Sequence, residues 1–156
     1  MAPVYEIIIK LGMPINSYYM ASGADLKKRE KTLIPHCKKV LDELKKNVPL
    51  LKLAKGDDFE MTWISFHVFG EFVQLHFEAK EDLQVALDAL LAFSKIDNGE
   101  QYGPYQTLMK LYLALDEDNN AYQLATNISR KFKGEDFLDD LLKSPGYKTW
   151  KKKKSA

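Results

Sequence analysis

An α+β fold is what this sequence predicts: a two-layer β-α-β-β-α core with an antiparallel hairpin, followed by a C-terminal helical extension. Three observations lead there. Residues 4–11 (VYEIIIKL) are rich in β-branched side chains, as strands are. Residues 59–69 and 72–78 alternate apolar and polar around Gly70-Glu71, the period-2 pattern of a half-buried hairpin. The segments around them repeat apolar residues every three or four positions, the period of a helix.

The elements follow in order. After the first strand, Gly12, Pro14, Asn16, Ser22 and Gly23 mark a loop over 12–25. A long basic helix then lies within 25–47, with Leu33, Ile34, Cys37, Val40, Leu41 and Leu44 as its apolar stripe. Pro35 is tolerated in a first turn, so this helix is expected to begin near Thr32. The hairpin comes next. A two-residue turn with glycine first suits type II′, and its register collects Ile64, Phe66, Val68, Val73, Leu75 and Phe77 on one face. A slip by one residue would mix the two faces.

Residues 81–96 form a helix led by Glu81 and Asp82, as the helix dipole prefers. Leu83, Val85, Ala86, Leu87, Leu90, Leu91, Phe93 and Ile96 surround it almost entirely, which places it between the sheet and a further helical layer. That layer is expected from 104–116, 120–133 and 135–143, with Gly134 stopping the second helix. Alternation of Met109, Leu111, Leu113 and Leu115 also leaves 107–115 open to a strand reading. A single domain is expected over 1–147, with 148–156 as a lysine-rich, flexible tail.

Composition bounds the function. The 156 residues are 46% hydrophobic and 29% charged, values of an ordinary globular chain able to bury a core. One cysteine, Cys37, excludes an intramolecular disulfide scaffold, and its place on the apolar stripe predicts a buried, inert thiol. The start MAPVYEIIIKLG has no basic segment ahead of its short apolar run, so a soluble, cytoplasmic protein is expected. Net charge is only +1, yet residues 27–55 hold ten Lys/Arg against three acids, and 56–103 hold two lysines against ten acids. Segregation of this kind marks a candidate polyanion-binding or partner-binding surface. The basic residues are lysines apart from Arg29 and Arg130, so such binding would be diffuse and salt-sensitive.

The face opposite the hairpin's apolar side supplies the candidate site: Trp63, His67, Phe69, Phe72, Gln74 and His76. Flat rings beside neutral hydrogen-bonding groups could stack bases or receive a partner. In the expected register His67 and His76 are diagonal neighbours, about 7–8 Å apart at the backbone, and a histidine pair near Ser65 could perform acid–base work. No carboxylate is spaced to complete a triad with them. Asp116, Asp118 and Asn120 alternate as in a calcium loop, but the required glycine and glutamate are missing from its sixth and twelfth positions. No metal and no cofactor is expected.

The stretch GEFVQLHFEAKEDLQVAL (70–87) resembles the third strand and second helix of RNA-recognition-motif domains. The resemblance covers at most about a fifth of the chain and implies base stacking on Phe72. Gln74 stands where that motif has its second aromatic, and Gly70 where it has a basic residue. Three functions therefore stand in order. A non-catalytic module acting through protein–protein interaction comes first, and a single-stranded RNA- or DNA-binding protein second. A small enzyme using His67 and His76 comes third. Near-neutral net charge ranks the first above the second.

Overall fold

The computed structural model describes residues 25–46, 70–94 and 102–155. These residues are 84% helical and contain no strand, so the fold of the described chain is all-helical and the α+β expectation is corrected. In order the helices are α1 (Asp25–Lys46), α2 (70–76) and α3 (Lys80–Ser94), then α4 (Gly103–Ala114), α5 (Asp118–Ile128), α6 (Asp136–Lys143) and α7 (Pro145–Ser155). The first two expected strands, at 4–11 and 59–69, lie outside the described residues.

The hairpin fails at its second arm, because 70–76 is helical and Gly70-Glu71 is its first turn rather than a reverse turn. Packing decides the matter. A helix aligns Gly70 with Val73 and Phe77, and the Phe77 amide donates to the Val73 carbonyl at 2.9 Å. Phe72 and Val73 are fully buried, whereas Leu75, assigned to the interior by the strand pattern, is among the described residues the large apolar side chain left most exposed. Gly70 makes the fit possible. A Cβ there would sit 3.1 Å from Thr107 Cγ2 and 3.5 Å from Leu90 Cδ2, so α2 lies close enough to α4 that an alanine would press on the Thr107 methyl.

Among the described residues helix α3 is central to the larger core, as its nearly continuous apolar surface implies. Leu83, Val85, Ala86, Leu87, Ala89 and Leu90 are buried. They pack with Leu33, Cys37, Leu41 and Leu44 of α1, with Phe72 and Val73 of α2, and with Leu108 and Leu111 of α4. Among the described residues α3 is thus covered by α1, α2 and α4. Helix α4 is shared between two cores, for its Met109 enters a second cluster with Tyr102, Ala125, Ile128 and Leu138. Alanines at 121 and 125, both fully buried, leave room for α5 to lie close against its neighbours.

Each of α3 to α6 packs on the next in sequence, and α5 also touches α7. The turns explain the boundaries. Helix α4 closes with Asp116 at φ 59°, its amide bonded to Leu113 and the Glu117 amide to Tyr112, a Schellman arrangement built on aspartate. The open helix-or-strand question over 107–115 is thereby answered as helix. Helix α5 ends at Ile128, short of the expected Gly134, where the Ser129 hydroxyl takes the Thr126 carbonyl at 2.9 Å. Such side-chain competition ends a helix. Gly134, at φ 100°, turns the chain into α6. Helix α1 begins at Asp25 rather than near Thr32 and carries Pro35 in its interior, on the exposed side. Among the described residues no helix is long and apolar enough to cross a membrane.

Candidate functional site

Of the six residues singled out by sequence, Trp63, His67 and Phe69 lie outside the described chain, and with His67 so does the histidine pair. Phe72, Gln74 and His76 share α2, not a sheet face. Helical spacing puts Phe72 and His76 on one side and Gln74 on another. Phe72 is fully buried, with the His76 ring centroid 4.4 Å from its own; Gln74 and His76 are half-buried. The base-stacking role implied for Phe72 has no accessible ring to act through.

Two parts of the positive charge have a defined place in the structure. On α1, Lys38 and Lys45 turn inward to Asp82 in the first turn of α3. Lys45 Nζ donates at 2.7 Å, and Lys38 Nζ lies 3.1 and 3.3 Å from the two carboxylate oxygens. The Asp82 side chain is only 4% exposed. Burial works to raise its carboxyl, but the hydrogen bonds and charges of Lys45 and Lys38 outweigh burial and hold it below its ordinary range. The Asp82 hydrogen bond in turn holds Lys45 above the usual lysine value. Cys37 lies beneath, fully buried, its thiol pushed up to about 12 by burial and by the Asp82 charge. This part of the positive charge joins α1 to α3.

The other part is α7. Ser144 starts it: the Ser144 hydroxyl accepts the Tyr147 amide at 3.3 Å, and the Lys148 amide reaches the Ser144 carbonyl at 3.1 Å. Pro145 occupies the first helical position, where its missing N–H costs nothing. Gly146 lets α7 approach the Tyr122 hydroxyl, which an added Cβ would overlap. The Thr126 hydroxyl donates to the Tyr122 carbonyl at 2.8 Å, leaving its oxygen to accept the Tyr147 hydroxyl at 3.0 Å. Trp150 completes the contact, its ring 5.7 Å from both Tyr122 and Tyr147. Lys154 stands 4.8 Å over the Trp150 ring and donates to Gln123 Oε1.

One side of α7 is thereby fixed to α5, and the other carries lysine. Lys148, Lys152 and Lys153 are exposed, and no acid lies on the helix. Lys148, Thr149, Lys151, Lys152 and Ser155 line a shallow surface depression. Three lysines in the last turn are favoured by the helix dipole. A ready helix-start signal, serine followed by proline, stands at Ser144-Pro145, and Tyr147 and Trp150 are spaced to share a face. The expectation of a tail at 148–156 read the charges and passed over both.

No family model, no curated protein and no solved structure matches this chain, so the functional reading rests on the geometry of α7 and its neighbours.

Proposed function

We propose that the protein is a non-catalytic cytoplasmic binding module that acts through protein–protein interaction, using the lysine face of α7 to receive an acidic segment. The observation that carries this reading is the fixed inner side of α7. Tyr147, Trp150 and Lys154 are engaged with α5, so the outer lysines project from a held scaffold and lose less freedom on binding.

Protein is favoured over nucleic acid by what surrounds the lysines. Tyr147 is buried and Trp150 is half-buried against Tyr122 and Tyr147, so these rings offer bases no free face for stacking. Helix α7 also has no arginine, and hence no fork for a phosphate. Lysines as point charges suit carboxylates spread along a chain.

Fluorescence anisotropy with a glutamate-rich peptide, and separately with oligo-U, at low and moderate salt tests the proposal. The peptide is expected to bind and to weaken with salt. Lys148→Glu/Lys152→Glu/Lys153→Glu removes three exposed contacts of about 0.5 kcal/mol each, roughly tenfold in affinity. Unchanged peptide binding by this variant, or tighter binding of oligo-U than of peptide, would overturn it.

A further inference from the structure

We infer that the acidic segment received by α7 is the α6 surface of a second copy of this chain. The two copies pair about a two-fold axis, so that α6 of each lies along α7 of the other. This rests on the reading of α7 as a docking face and names its partner.

The complement to the lysines lies in the preceding helix. Glu135 leads into α6, and Asp136, Asp139 and Asp140 lie on it, all exposed except the partly covered Asp139. Leu138, Phe137, Leu141 and Leu142 are engaged in the second core, so the acids occupy the remaining side. Helices α6 and α7 both pack on α5 and on each other. Their outer faces therefore form one end of the helical stack, acidic over α6 and basic over α7, with Lys143 at the boundary.

The two charge sets do not satisfy each other within one chain. Among the described residues Asp136, Asp139, Asp140, Lys148, Lys152 and Lys153 enter no ion pair, although only Ser144 separates the helices. Two helices so closely joined cannot fold their outer faces onto one another, but a two-fold copy brings them together. Every α6–α7 contact is then made twice in a single encounter, the property of an isologous interface. The lengths agree: eight and eleven residues rise about 12 and 16 Å. So small and charged a surface gives a weak, salt-sensitive pair.

The test is sedimentation velocity of the full chain over a range of concentrations, at low and high salt. Wild type is expected to dimerise at low salt and to dissociate at high salt. Lys148→Glu/Lys152→Glu/Lys153→Glu and Asp136→Lys/Asp139→Lys/Asp140→Lys should each be monomeric alone, while their mixture restores the pair through one acid–base contact of native sign and one of swapped sign. Lysine near the start of α6 opposes its dipole, so Asp136→Asn/Asp140→Asn serves as a second variant if the reversal unfolds. It should associate at least tenfold more weakly, with unchanged circular dichroism. Monomeric wild type at low salt, or a mixture no more associated than its parts, overturns the inference. If wild type is monomeric but the lysine-reversed variant still loses the glutamate-rich peptide, α7 remains a docking face for a different protein. If that variant retains the peptide, the docking reading itself falls.

Discussion

Asp82→Asn removes the charge on which two lysines of α1 converge, and its effect can be worked out from their surroundings. Breaking a fully buried ion pair costs about 3–5 kcal/mol, whereas an exposed pair contributes about 0–1 kcal/mol. Asp82 is 4% exposed, Lys45 20% and Lys38 46%, so the Lys45 contact belongs nearer the first class and the Lys38 contact to the second. Both lysines keep Asp42 at 3.7 Å, and Lys45 also keeps Glu81 at 3.8 Å, which moderates the loss. An expected cost of about 2–3 kcal/mol follows. Urea unfolding at neutral pH measures it. The pH profile supplies a second check. Because the folded-state carboxyl of Asp82 is lowered, its contribution is complete above the unfolded value, about 3.9. It is lost as pH falls through the lower folded value. The stability difference between wild type and Asp82→Asn should therefore shrink only below about pH 4. A loss under about 0.5 kcal/mol at neutral pH would refute the view that this ion cluster joins α1 to α3.

Four further outcomes are expected. Leu87→Ala and Leu90→Ala should each cost about 2–5 kcal/mol in equilibrium unfolding, since both side chains are buried in the centre of α3. Cys37 should resist thiol reagents in the native protein and react only on unfolding, because its buried thiol stays neutral; rapid native labelling would contradict this. Gly70→Ala should lower the thermal midpoint despite the better helix propensity of alanine, and Thr107→Ser in that background should recover it by removing Cγ2, the atom in the way. In a Trp63→Phe background, where Trp150 is the remaining tryptophan, Gly146→Ala should loosen α7, read as loss of fluorescence anisotropy, and Tyr122→Phe should reverse it by deleting the overlapping hydroxyl.

How much of this was legible in the sequence varies with the residues. Helix α3 was readable because fifteen residues with apolar positions on several sides fit only a central helix. The stripe through Leu33, Cys37, Leu41 and Leu44 was equally plain, and all four are buried. Helix α2 was misread because FVQLHF satisfies both periods: Val73, Leu75 and Phe77 alternate, while Val73 and Phe77 also stand one helical turn apart. Runs this short are settled by tertiary contacts, here the closeness of Gly70 to Thr107 and Leu90. With that misreading went the sheet-face placement of Phe72, Gln74 and His76, since it depended on strand geometry. Helix α7 was missed for the opposite reason. Five lysines dominated a segment whose structure depends on Ser144, Tyr147 and Trp150, and the contacts of the last two with α5 cannot be read from local sequence.

Pro35 has a consequence for how α1 comes apart. Lacking an N–H, it leaves the Lys31 carbonyl without its bond from four residues on, so the ladder of α1 is interrupted between its two ends. The later end is anchored by Cys37, Leu41 and Leu44 and by the Asp82 contacts. The earlier end has Leu33 in the core but exposes Lys28, Lys31 and Thr32. Amide hydrogens on the two sides of the proline should therefore exchange with solvent as two groups. Those before it should exchange by local opening. Those after Cys37 should wait for the separation of α1 from α3, making this helix two units of unfolding within one continuous rod.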